Sequence, residues 1–307
     1  MFNFITLKKK TLIFLFIIVF IMIGSIYLNA YLKNLPSSYE VYSNIKNNNE
    51  FDFDCDGEND ELTIISTNTT YSIKIKNSMG ESLLKSQEYD YSLLDIAPSC
   101  DISISYIDLS RNKIPELIIS GIKNNKPAFY IFRWIDNAFQ EVIFSQDNIL
   151  GILDYNNSRT PKIFTANSTK GDESTKGYII NSTYVKDITF SNPKIPAFGN
   201  IQKLIDLIQV EYELDDAPDI FTSYIPSEEL GLLWNLDKLN YRYSFQKAYF
   251  YDTTWNDDGK PTSLYWVLSF EKINYTTSNK KPQELILYVK TELDELDQYK
   301  ISSIIKK

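Results

Sequence analysis

The sequence predicts a mainly β protein, an array of short antiparallel sheets with an N-terminal transmembrane helix and some helix in its C-terminal part. Three observations lead there. Tyr (22) and Phe (18) are abundant while Gly (10) and Pro (11) are few, a balance that favours strands. Short runs in which apolar and polar residues alternate recur over most of the chain. An acidic loop followed at once by a strand-forming run also recurs, with a period near that of β arrays.

The first element is basic and then apolar. Residues 1–10 form a tail ending in Lys8-Lys9-Lys10, and Thr11–Leu32 follows as 22 residues without a charge. As a helix this run spans about 33 Å, the thickness of a bilayer core. The lysines precede it, so the positive-inside rule keeps residues 1–10 inside and sends the rest of the chain outside the cell membrane. Secretion after signal cleavage is the alternative. The apolar core of a signal peptide is usually about 7–15 residues, shorter than this run, and Leu28-Asn29-Ala30 is a poor cleavage site. No Cys lies near the end of the run to carry a lipid. Residues 33–49, polar and rich in Asn, read as a stalk.

The folded part opens on Phe51–Ile65, F-D-F-D-C-D-G-E-N-D-E-L-T-I-I. Asp52, Asp54, Asp56 and Asp60 occupy loop positions 1, 3, 5 and 9, and Gly57 occupies position 6. Alternate carboxylates on a tight loop converge on one point, and the glycine lets the backbone turn. Hard oxygen ligands in this number suit Ca²⁺ rather than zinc or copper. An EF-hand needs a Glu at position 12 and flanking helices; here position 12 is Thr63 and a β-type run follows. A solvated acidic turn without metal is the plain alternative.

The same frame returns. Asp108, Ser110, Asn112 and Glu116 take positions 1, 3, 5 and 9, with Lys113 where the glycine stood, and Leu117–Ile119 follows as a strand. Asp154, Asn156 and Ser158 begin a third copy, whose position 9 is Lys162. An amine there would act as a built-in counter-charge in place of a metal. The starts are 56 and then 46 residues apart, a period seen in propeller blades and related β arrays. Between them, Thr69–Lys76, Asp101–Asp108, Ala128–Trp134 and Phe139–Phe144 alternate as strands, with a turn at Asp136-Asn137.

These loop-then-strand units resemble the FG-GAP/VCBS repeats of integrin-α-type β-propellers over residues 51–165. The resemblance implies a β-propeller-like fold whose loops bind structural Ca²⁺. It implies as ligands the side chains of Asp52, Asp54, Asp56 and Asp60, with Glu58 giving its backbone carbonyl. Residues 50–195 are then the repeat region and 196–307 a C-terminal part.

In that C-terminal part the frame fades. Val210–Phe221 fits it loosely, but Ile201, Leu204, Ile205 and Ile208 fall at helical spacing. Ser227-Glu228-Glu229-Leu230 starts a second helix after Pro226, running to about Leu239. Gln246–Thr254 and Thr262–Lys272 read as a hairpin around Asp258-Gly259, and Glu284–Lys290 as a last strand. The tail to Lys307 is polar, with a helix as one option.

Composition narrows the function. The chain has no histidine, which excludes a Ser-His-Asp triad, a Cys-His pair, His-ligated zinc and haem on a proximal His. The formal net charge is −9, and such a surface repels nucleic acid. Cys55 and Cys100 could bridge outside the cell or remain free thiols. The acidic cluster Glu211, Glu213, Asp215, Asp216 and Asp219 reads as a solvated helix end before it reads as a second cation site or a carboxylate pair. Trp234, Tyr241, Tyr243, Trp255, Tyr265 and Trp266 read as core and cross-strand pairs before they read as a sugar-binding face.

The expectation is a single-pass, extracytoplasmic binding or adhesion protein whose Ca²⁺ orders a surface for an envelope or extracellular protein or glycan. A hydrolase of surface carbohydrate or peptide, working through a carboxylate pair, is the second reading. No such pair stands out among the 40 acidic residues, so no catalytic residue is assigned and an enzyme is the less favoured reading. A membrane-tethered sensor is the third, opposed by the short tail inside.

Overall fold

In the computed structural model, which describes residues 50–154, 160–210, 218–276 and 281–307, the chain is mainly β. The expected tail, membrane helix (11–32) and stalk lie outside the described residues. Among the described residues no helix is long and apolar enough to cross a membrane.

The first sheet holds β1 (Glu50–Phe51), β2 (Asp60–Ser66), β3 (Thr70–Asn77), β4 (Gly80–Leu83), β5 (Leu94–Asp95), β6 (Ser103–Ile107), β7 (Glu116–Lys123), β8 (Lys126–Ile135) and β9 (Ala138–Ser145). Its order is β1-β2-β3-β5-β7-β8-β9, with β4 on β3 and β6 on β7, and every pairing is antiparallel. The β8–β9 turn has Asp136 and Asn137 at φ 48° and 63°, the left-handed pair that a two-residue hairpin requires.

Two copies of one unit, loop then hairpin, build this sheet: the first loop feeds β2–β3 and the second feeds β7–β8. Their inward residues, Ile73 and Ile75 from one and Leu117, Ile119 and Phe132 from the other, merge into one core. Phe53, from inside the first loop, joins it with its ring 5.2 Å from Tyr106 and 5.9 Å from Phe139. Burying each such side chain contributes roughly 1.5–3 kcal/mol.

The second sheet holds β10 (Ile149–Leu153), β11 (Lys162–Ala166), β12 (Lys176–Ile180), β13 (Val185–Asp187), β14 (Tyr241–Trp255), β15 (Pro261–Asn274), β16 (Gln283–Leu293) and β17 (Tyr299–Lys306). The order is β13-β12-β11-β10-β14-β15-β16-β17, antiparallel except where β10 runs parallel to β14. Helices α1 (Phe198–Gln209) and α2 (Ser227–Trp234) accompany it. The apolar stripe of α1, Ile201, Leu204, Ile205 and Ile208, packs in one core with Phe250, Trp266, Leu268, Leu285 and Leu287 of the sheet. At Gly151 a Cβ would lie 1.9 Å from the Phe250 ring, so only glycine fits beneath it.

The structure departs from expectation at four points. The strands do not stay in short separate sheets. The two-residue β5 pairs with β3 (Tyr71↔Leu94) and with β7 (Asp95↔Ile122), and so welds both units into one ladder. The expected division after residue 195 cuts the second sheet, because β10 joins β11–β13 to β14. Helix α2 stops at Trp234, short of Leu239, as the chain turns at Asn235 towards β14. The tail is a strand, not a helix. Its register on β16 skips one residue at Ser302, and that bulge lets Ile301 and Ile304, three apart, both enter the core.

Candidate metal centre

The loop between β1 and β2 makes its bends at Cys55 (φ 59°) and Gly57 (φ 93°), which turn backbone N–H groups inward. Asp52 Oδ1 accepts from the N–H of Asp56 at 3.1 Å, and Asp52 Oδ2 from that of Gly57 at 3.0 Å. Asp54 Oδ1 accepts from the N–H of Asp56 at 3.2 Å, and Asp56 Oδ1 from that of Glu58 at 2.8 Å. Asp60, the first residue of β2, takes the Phe53 N–H on Oδ2 at 2.6 Å. The burial of Phe53 in the core therefore fixes the depth of Asp60.

Asp52, Asp54 and Asp60 each place a carboxylate oxygen within 4.8 Å of the others. Asp60 is 1% exposed, and among the described residues its Oδ1 has no hydrogen-bond partner. A buried oxygen in that state costs about 1–3 kcal/mol. Each pair of full charges at this separation adds a repulsion of roughly 1–3 kcal/mol. Burial pushes the Asp60 carboxyl above its usual range, and the charges of Asp54, Asp52 and Asp56 push the same way. Burial, then the charges of Asp56 and Asp52, raise Asp54 likewise. A hard cation among the three would relieve the repulsion and satisfy Asp60 Oδ1 together.

Three of the five expected ligand residues thus converge. Asp56 faces a different neighbour: its Oδ2 takes the Ser78 hydroxyl, and that bond with the Glu58 N–H holds its carboxyl below the usual range. Glu58 is exposed at the rim. The turn after β3 closes the loop, since Asn77 Nδ2 also donates to Asp54 Oδ2 at 3.1 Å. Asn77 and Ser78 carry no signal in the sequence, because they join the loop only through the β2–β3 pairing.

The second loop repeats the two bends and most of the backbone hydrogen bonds of the first. Arg111 (φ 59°) and Lys113 (φ 73°) make the two bends. Asp108 accepts from the N–H groups of Asn112 and Lys113, each at 3.0 Å, and Asn112 Oδ1 from that of Ile114 at 2.8 Å. Glu116 Oε2 takes the Leu109 N–H at 2.7 Å, as Asp60 takes that of Phe53. Its charge environment differs. The Arg133 guanidinium stands 3.9 Å from Glu116 Oε1, both groups being buried. Arg133 is 56 residues beyond Asn77, the offset that separates the two loops. Burial still raises the Glu116 carboxyl, against the pull of its hydrogen bonds.

In the third loop Asp154 and Lys162 are described, whereas Asn156 and Ser158 lie outside the described residues, as do Glu211, Glu213, Asp215 and Asp216. The cation that meets Asp154 is Arg111 of the second loop, its Nη2 3.1 Å from Oδ2, whereas Lys162 opens β11 with an exposed side chain. The built-in counter-charge expected from Lys162 therefore comes from Arg111. The loops also touch in series, for Cys55 Sγ donates to the Lys113 carbonyl at 3.3 Å. Cys55 and Cys100 are free thiols, the first exposed and the second buried.

No family model, no curated protein and no solved structure matches this chain.

Proposed function

We propose that this chain is a membrane-anchored extracytoplasmic protein whose β ectodomain binds a protein or glycan, with Ca²⁺ in the Asp52–Asp60 loop ordering the binding surface. One observation carries the metal: Asp60 Oδ1, buried and unpartnered, belongs to the same cluster as the Asp52 and Asp54 carboxylates. Oxygen-only donors select a hard cation, and a site completed by the Glu58 carbonyl and water suits the six to eight ligands of Ca²⁺ better than the stricter shell of Mg²⁺. Asp52, Asp54 and Asp60 would hold it. The loop, rather than a ring of blades, is the part of the FG-GAP/VCBS resemblance that supports this reading.

The ion would tie the β1–β2 loop to the turn after β3. With the weak affinity usual for extracellular modules, it contributes on the order of 1 kcal/mol, enough to order a loop and too little to fold a domain. The uncharged apolar run at residues 11–32 of the sequence supports the membrane location, and the net charge of −9 supports the absence of nucleic acid among the partners. Calorimetric titration of the full-length chain with Ca²⁺ tests the reading. One site per chain, lost in Asp54→Ala, is the expected result; an absence of binding at millimolar Ca²⁺ would remove the metal from it. Capture of an envelope protein or glycan that chelation abolishes tests the binding role. Turnover of a surface glycan, lost on substitution of a carboxylate, would favour the hydrolase reading instead.

A further inference from the structure

The two sheets do not close on each other completely. Residues of β16 alternate, and Leu285, Leu287 and Val289 enter the core shared with α1, so Glu284, Ile286 and Tyr288 point to the opposite face. In the first sheet Leu117 and Ile119 take the core, which leaves Ile118 and Ser120 on its reverse face. Between these two faces lies a cavity of about 290 Å³. It is at the small end of ligand pockets, and such pockets favour the junction between layers.

Its lining combines an apolar wall with two opposite charges, those of Lys247 and Glu284, and Asp101 and Lys307 also border it. Ile118, Phe129, Val267 and Ile286 give the wall. Lys247 Nζ donates to the Asp101 carbonyl and to Ser120 Oγ, each at 3.2 Å, so both acceptors are neutral. Glu284 Oε1 accepts from Ser269 Oγ at 2.5 Å. Among the described residues neither charge has an ion-pair partner, although both border one space. They lie close enough for a single thiol to sense both: Cys100 is raised first by its burial, while Lys247 lowers it and Glu284 raises it. A half-buried cation and anion left unmated beside an apolar wall match a small molecule that bears both charges and an apolar group.

We propose that this cavity binds a zwitterion with an apolar side chain, of the α-amino acid type, its carboxylate on Lys247 and its ammonium on Glu284. The site is separate from the metal loop and does not depend on it. The side chain lies against Ile118, Phe129 and Val267, and the serines complete the hydrogen bonding of the head group.

The test is calorimetric titration of the full-length chain with L-leucine and L-phenylalanine, beside their N-acetyl and amide derivatives. Acetylation removes the ammonium, and amidation removes the carboxylate. At least one parent amino acid binds tenfold or more tightly than both of its derivatives. Glu284→Gln, which keeps a partner for Ser269, weakens the parent and the amide about tenfold and leaves the N-acetyl compound unchanged. Val267→Trp fills the cavity and removes binding of all of them, with circular dichroism melting reporting that the variant is folded. Absence of heat with both parent amino acids, equal affinity for parent and derivatives, or undiminished binding to folded Val267→Trp each overturns the proposal.

Discussion

The Arg133 guanidinium of β8 lies 3.9 Å from the carboxylate of Glu116 at the end of the second loop, and both are buried. At the matching place in the first loop stands Asn77, which brings no charge to Asp54. Two loops with the same backbone path therefore differ in who supplies the positive charge. In the second it is a side chain of β8. In the first, no cation among the described residues pairs with the carboxylates, and this contrast is why we place Ca²⁺ in the first loop alone. Replacing Arg133 by Met leaves Glu116 buried without its counter-charge, and a loss of about 3 kcal/mol in urea denaturation is expected. Adding Glu116→Gln to that variant recovers much of the loss. Equal stability of wild type and Arg133→Met would show that the pair has no role in holding the loop.

Calcium is expected to raise the melting temperature of the full-length chain. With a dissociation constant typical of extracellular modules, Ca²⁺ at about ten to a hundred times that value stabilises by roughly 1.4–2.7 kcal/mol. For a domain of this size that is a rise of a few degrees. Asp54→Ala removes the rise. An unchanged melting temperature in wild type counts against a bound ion.

The response to pH has a definite sign. Asp60, Asp54 and Glu116 have carboxyls raised in the folded chain, so between the unfolded and folded values the folded state holds more protons. Their contribution is present below the unfolded carboxyl value and is lost as pH rises through the raised folded values. In a chelator, melting temperature falls across that window. Saturating Ca²⁺ removes the part due to Asp60 and Asp54, since the ion takes the place of the protons. Melting curves at several pH values, with and without Ca²⁺, check it; a rise across the window in the chelator contradicts the geometry.

Lys113 occupies a left-handed bend that glycine occupies in the first loop, at φ 73° against 93° for Gly57. A residue with a Cβ costs roughly 1–2 kcal/mol there. Lys113→Gly should stabilise the chain by about 1 kcal/mol, and Gly57→Ala should destabilise it by a similar amount. Urea midpoints compare both with wild type. A destabilising Lys113→Gly would mean that the lysine side chain makes contacts worth more than the strain.

Cys55 reports on the same charges. Burial, then the charges of Asp52, Asp54 and Asp108, push its thiol up, which slows reaction with a disulfide reagent. A bound cation offsets Asp52 and Asp54, so labelling speeds up on adding Ca²⁺, and this acceleration is absent in Asp54→Ala. Cys100, buried, reacts only in denaturant. A labelling rate indifferent to Ca²⁺ in wild type would place the ion elsewhere.

The sequence by itself determined the elements whose signals are local. Alternation located β8, β9, β15 and β16 to within three residues, and β14 without its first five. The spacing of Ile201, Leu204, Ile205 and Ile208 located α1, and the spaced aspartates with Gly57 described a loop that brings three of its carboxylates, Asp52, Asp54 and Asp60, together. These features depend on neighbours along the chain, and pattern records neighbours. Only the tertiary structure decided what those elements join. The bridge through Leu94 and Asp95, the bulge at Ser302, the approach of Asn77 and Ser78 to the first loop and of Arg133 to the second are all contacts between residues far apart in sequence. Each arises from strand register, and register is set by which faces can be buried together, a property of the assembled sheets rather than of any single stretch.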